Sequence, residues 1–136
     1  MASGIYNIFK SNLMLGHLNL DTDDIRVCLY DGVHSFTASD TNYTTTNELP
    51  TTGGYTQGTA VLQNPIVMPG ATATFDADDT AWTSATFSAD YAVLFDFTYD
   101  PVNNNLICCF DFGGTKTVSS GTFTIIWHAS GIITLT

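Results

Sequence analysis

YAVLFDFTYDPVNNNLICCFDF, residues 91–112, reads as two apolar runs hinged on a turn, and the fold class follows from it. Tyr91, Val93, Phe95 and Phe97 alternate with Ala92, Leu94 and Asp96. After Asp100-Pro101-Val102-Asn103-Asn104-Asn105 the chain resumes with Leu106, Cys108, Phe110 and Phe112. A period of two puts successive side chains on opposite faces, and Pro, Asp and Asn are residues that make tight reversals. The segment is expected to form a β-hairpin with one heavily apolar face.

Outward from the hairpin, the same signal recurs in short pieces. Residues 59–62, 66–68, 71–75 and 81–84 read as brief strands on its N-terminal side. On its C-terminal side Gly113-Gly114 and Ser119-Ser120-Gly121 frame a loop, Phe123, Ile125 and Trp127 alternate with Thr122, Thr124 and Ile126, and residues 132–135 form a last strand. Near the amino terminus Ile5, Ile8, Phe9 and Leu13 fall at helical spacing, with Ser3 placed to cap the helix and Gly16 to end it. Residues 18–24 make a turn, and residues 25–30 a strand with Ile25, Val27 and Leu29 on one face and Arg26 and Tyr30 on the other. Seven or eight strands and one short helix predict a mainly β fold, an antiparallel sandwich or a small barrel.

The 136 residues make one domain, 1–136, long enough to bury a core of Phe, Tyr and branched aliphatics. Residues 31–58 interrupt the pattern with Thr, Asn, Ser and Gly. A connection of that length is expected to serve as a contact loop, with Phe36, Tyr43, Leu49 and Tyr55 as candidate contact residues.

Charge excludes some partners. Lys10, Arg26 and Lys116 stand against 13 acidic residues, a formal net charge of −10. Nucleic acid is not an expected partner, because displacing phosphate counterions takes clustered Lys and Arg. No membrane association is expected either, since no apolar run approaches spanning length. The amino terminus lacks the basic and apolar regions of a secretory signal, which predicts folding in the cytoplasm. Cys28, Cys108 and Cys109 do not suit a disulfide framework; the adjacent pair would face opposite ways and all three are expected as buried thiols.

The sequence holds no GxSxG, HExxH, CxxC or GxxxxGK motif, so no catalytic or cofactor-binding residue is assigned. The sharpest candidate for chemistry is Phe75-Asp-Ala-Asp-Asp79. Asp76, Asp78 and Asp79 are candidate ligands for a structural calcium ion, which takes several carboxylate oxygens, yet the glycine and closing glutamate of an EF-hand are missing. A metal-dependent hydrolase would add His128 to Asp76 and Asp78. The plainer reading makes Asp76 and Asp78 turn residues and puts Trp82 in the core.

Three stretches also resemble a known group. IYNIFKSNLMLGHLNLDTDDIRVCLY, FDADDTAWTSATFSADYAVLF and LICCFDFGG followed by GTFTIIWHASGIITL are similar to small virion-associated proteins of tailed bacteriophages, with Asp21-Thr-Asp-Asp24, Phe75-Asp-Ala-Asp78 and Phe-Thr-Ile-x-Trp at 123–127 as the most diagnostic pieces. The likeness covers nearly the whole chain except residues 31–58. It implies a non-enzymatic virion protein made in the host bacterial cytoplasm, foremost a decoration or cement protein that stabilises the head. Its partners would be the major capsid protein or other virion proteins, with self-association as a homo-oligomer, such as a trimer. The alternative is a tail, neck or fibre module that binds a receptor or glycan through Tyr43, Tyr55 and Trp82.

Overall fold

The computed structural model describes residues 3–136. The chain is mainly β, built from two antiparallel sheets and one short helix. In chain order the elements are β1 (Gly4–Ile5), α1 (Asn7–Leu15), β2 (Ile25–Tyr30), β3 (Ala60–Val61), β4 (Ile66–Met68), β5 (Ala73–Asp76), β6 (Thr80–Asp96), β7 (Leu106–Ile125) and β8 (Ile133–Leu135). The larger sheet has the order β1-β7-β6-β2-β3 and the smaller β4-β5-β8, so both keep open edges and no barrel closes.

The hairpin of residues 91–112 is the inner part of a much longer one. β6 and β7 pair from Thr80 with Ile125 to Phe95 with Leu106. The expected separate strand at 81–84 and the expected loop at 113–121 both lie inside these strands. Irregularities absorb the turn-forming residues: the register shifts four times along the pair, and Ser84, Gly113, Gly114 and Ser120 all have positive φ. Bulges let a strand carry such residues while its hydrogen bonding resumes beyond them.

The apolar surface of the hairpin is divided between its two faces. Leu94 pairs with Cys108, but Phe95 pairs with Leu106, so Ile107 is the extra residue of a bulge. Ala92, Leu94, Ile107, Cys108 and Phe110 enter the main core with Ile25, Val27 and Leu29. Val93, Phe95, Leu106 and Cys109 pack on the reverse face with Tyr6, Cys28 and Tyr30. Burial on both sides explains a central strand with no exposed alternation. Each fully buried large side chain contributes about 1.5–3 kcal/mol, and the three buried cysteines are unpaired.

Residues 31–58 pack on their own chain. Leu49 and Tyr55 are buried in the main core, and Glu48 joins the loop together: its Oε1 accepts from the Tyr55 hydroxyl at 2.6 Å and the Gly58 amide at 2.9 Å, and its Oε2 from the Tyr43 hydroxyl at 2.5 Å. The Leu29 amide donates to the Tyr55 oxygen at 2.8 Å, which ties this hub to β2. Gly53 has φ +61°, and a Cβ there would overlap the Thr86 carbonyl of β6. The loop thus follows the sheet more closely than any other residue would allow.

At the amino terminus, Ser3 does not cap the helix. Its amide bonds the Cys109 carbonyl and its Oγ accepts from the Asp111 amide, because Ser3 through Ile5 add to the open edge of β7. Helix α1 begins only after Tyr6, without a side-chain cap, and ends at Gly16 with φ 71°, the residue expected to stop it.

A candidate docking groove and two acidic turns

Helix α1 buries only Phe9 and Asn12. Its Leu13, Met14 and Leu15 stay exposed, Met14 by 89%. Opposite the helix stands one face of the smaller sheet. Residues paired across antiparallel strands share a face, so Val67 with Phe75, Phe75 with Ile133 and Ala73 with Leu135 form a continuous apolar wall. Between helix and wall runs an open groove of about 980 Å³, floored by Phe9, Leu18, Leu20, Phe75 and Ile133 and rimmed by Leu13, Met14, Val67 and Leu135. Exposed apolar residues scattered singly mean little, but a contiguous set lining a concavity marks a binding surface. Asp21 and Asp23 stand at the groove wall.

A smaller concavity of about 380 Å³ lies on the reverse face, among Tyr6, Tyr30, His34, Asp40 and Thr44. His34 rests against Tyr30 and Tyr91, and burial lowers its pKa.

The candidate contact residues of the 31–58 loop have different fates. Phe36 keeps 38% exposure while its ring covers Gly4 and Tyr6. Tyr43 is half-buried and stacks on Phe95 with ring centroids 4.4 Å apart. Leu49 and Tyr55 are interior residues, so their side chains offer nothing to a partner. The aromatic platform of Tyr43, Tyr55 and Trp82 does not form either. Trp82 is 7% exposed and packs edge-on to Phe87 and Phe123.

Nor do Asp76, Asp78 and Asp79 assemble a metal-binding cluster. Asp76 is a strand residue opposite Ile66; Asp78 Oδ2 accepts from Asn64 Nδ2 at 2.6 Å; Asp79 Oδ1 accepts from the Trp127 amide at 3.0 Å. The Trp127 indole donates to the Asp78 carbonyl at 3.0 Å, so the turn is bolted to a core tryptophan. His128, the third member of the hydrolase reading, accepts from the Ser130 amide at Nδ1. Among the described residues, no three His, Cys, Asp or Glu side chains converge to metal-binding range.

The second acidic turn, Asp21-Thr-Asp-Asp24, drew no functional expectation. Asp21 Oδ1 accepts from the Val67 amide at 3.1 Å, Asp23 Oδ2 from the Asn19 amide at 2.9 Å, and Asp24 forms a two-point bond with Arg26, whose guanidinium lies 3.7 Å over the Phe97 ring. Beneath the turn sits Asp96 at the end of β6, 1% exposed. Its Oδ1 accepts from the amides of Thr98 at 2.7 Å and Tyr99 at 3.2 Å, while Oδ2 has no donor. The Asp23 carboxyl of the turn is its acidic neighbour. Burial, and then that neighbour, raise the Asp96 pKa well above the ordinary carboxylate range. A sequence signal for this site was present only as an aspartate in an apolar strand, and the position of that strand end against the turn is tertiary information.

Compared with family models, with curated proteins and with solved structures, the chain gives no match.

Proposed function

We propose that the chain is a non-enzymatic structural protein of a tailed-bacteriophage virion, a head decoration or cement protein that acts through protein–protein contacts. The observation that carries this reading is the apolar groove between α1 and the smaller sheet, together with its exposed rim of Leu13, Met14, Val67 and Leu135. All three stretches that resemble virion proteins contribute to it: the first contains α1, the second begins at Phe75 and the last contains β8.

The physical requirements of such a role fit the molecule. A decoration protein must stay dispersed before assembly and hold its shape afterwards. Net charge of −10 keeps free copies apart, while the groove offers a local apolar contact that outlasts this repulsion once the copies are held on a lattice. The major capsid protein is the proposed partner, with neighbouring copies of this chain, in a trimer for example, as a secondary contact. The glycan-binding alternative has lost its platform, since Tyr55 and Trp82 are interior residues. Among the described residues no helix is long and apolar enough to cross a membrane.

The test is sedimentation of the purified chain with expanded capsids. Stoichiometric binding that is lost in Met14→Asp or Leu135→Asp, with each variant still folded, is the expected outcome. Recovery of the protein only from purified tails would overturn the head assignment.

A further inference from the structure

We propose that Asp23 and Asp96 form a divalent-cation site, selective for calcium, at the junction between the acidic turn and the end of β6. The decisive feature is Asp96 Oδ2: it belongs to a side chain only 1% exposed and has no hydrogen-bond donor, beneath a turn whose Asp23 carboxyl is its acidic neighbour. Two neighbouring carboxylates, one cut off from water, repel each other unless a proton or a cation sits between them. The nearest basic side chain on the adjoining strand, Arg26, is already committed to Asp24 and the Gly58 carbonyl. Among the described residues the only ion pair is that of Arg26 with Asp24.

Calcium fits the donor set. The oxygens are hard, and Asn19, Asp21 and Asp23 follow one another at every second position, a spacing by which loops present oxygens to this ion. Only two carboxylates meet, and the Asn19 side-chain oxygen already accepts from the Asp21 amide at 3.0 Å, so backbone carbonyls and water would complete the coordination. Low ligand charge places the affinity in the weak class, with Kd on the order of 10⁻⁴–10⁻³ M. Magnesium, which demands near-ideal octahedral geometry and gives up its water reluctantly, is disfavoured. Because Asp21 and Asp23 also stand at the groove wall, the ion would stiffen one side of the docking surface.

Full-length protein at neutral pH, freed of metal by chelator, provides the test. About 5 mM calcium should raise the Tm by roughly 4–10 °C, the shift that such an affinity gives through mass action. Terbium should show luminescence sensitised by Tyr99, whose amide bonds Asp96 Oδ1. Both signals should vanish in Asp96→Asn and in Asp23→Asn and persist in Asp78→Asn, and magnesium should give less than half the shift. Asp96→Asn retains an oxygen for the Thr98 and Tyr99 amides; Asp23→Asn, on the surface turn, remains informative if the buried variant misfolds. An unchanged Tm and no terbium signal in the wild-type chain would overturn the proposal, as would a full response in both Asn variants. If Asp96→Asn stabilises the protein while calcium does nothing to the wild type, the pair shares a proton and is no cation site.

Discussion

The chain writes the pattern Asp-x-Asp-Asp twice, at residues 21–24 and at 76–79, and folds the two copies into opposite situations. In the second copy the carboxylates have ordinary partners: Asp78 holds Asn64 at the surface and Asp79 holds the part-buried Trp127 amide. In the first copy two carboxylates are likewise occupied, Asp21 by Val67 and Asp24 by Arg26, but the middle one faces a buried aspartate from another strand. The difference is therefore made by what lies underneath, a tryptophan in one case and Asp96 in the other. A cluster of acids acquires chemistry only from a neighbour that cannot be satisfied without a ligand.

The sharpest way to break this contrast is to remove the anchor of the second turn. Trp127 is 7% exposed, packs on Phe110 with ring centroids 5.1 Å apart, and bonds both Asp78 and Asp79 through its nitrogens. Trp127→Ala should cost about 3–5 kcal/mol in urea unfolding. A cost under about 1 kcal/mol would mean that the turn stands without its tryptophan and that the structural account of residues 76–79 is wrong. Phe123, which alternates in step with Trp127, is only half-buried, so Phe123→Ala should cost less than Trp127→Ala, and Thr124→Ala, on the exposed face, should be nearly silent.

Buried carboxylates offer a second form of the comparison. Glu48 is 6% exposed and accepts three donors, whereas Asp96 at 1% leaves one oxygen without any. Replacing the satisfied acid should hurt: Glu48→Gln turns a donor toward the tyrosine hydroxyls and should cost about 1–3 kcal/mol. Replacing the unsatisfied one should help, with Asp96→Asn stabilising the calcium-free chain by about 1–2 kcal/mol. Equal losses in both, measured side by side by chemical denaturation without added metal, would remove the distinction.

How much of this was legible in the sequence follows from the range of each interaction. The mainly β class, strand 25–30 with its two faces and the stop at Gly16 were all visible, because each depends on a short period or on one residue's backbone freedom. The continuity of β6 and β7 was hidden, since Ser84, Gly113 and Ser120 look like punctuation unless the partner strand that carries them through their bulges is known. The loop at 31–58 was legible as irregular but not as interior: Tyr55 is held by Glu48 and Leu29, neither of which signals it locally. For the same reason the groove was missed. Its walls come from residues about 60 and 120 positions apart, and α1 advertises only a helix with more apolar residues than its own contacts use.

Asp79 separates a polar bolt from a packed one. Its Oδ1 accepts the Trp127 amide in a part-buried setting, so Asp79→Ala should cost about 0.5–1.5 kcal/mol, well under the loss of the indole itself. A thermal scan of both variants orders the two, and a larger loss from Asp79→Ala would shift the role of the turn from packing to hydrogen bonding.

The finest discrimination lies between the two middle aspartates, Asp23 and Asp78, which occupy equivalent places in the repeated pattern. Asp78 is exposed, and an asparagine there still offers an oxygen to Asn64, so Asp78→Asn should change stability by less than about 0.5 kcal/mol with or without calcium. Asp23→Asn also keeps an oxygen for the Asn19 amide, but it removes the charge that opposes Asp96. Without calcium it should be neutral or mildly stabilising, because the repulsion is relieved; with calcium it should fall below the wild type, because the site is lost. That reversal of sign between two otherwise parallel substitutions depends on the carboxyl beneath the turn and on nothing in the turn itself. If both variants respond alike in the two conditions, the two copies of the pattern are equivalent and the cause assigned to Asp96 fails.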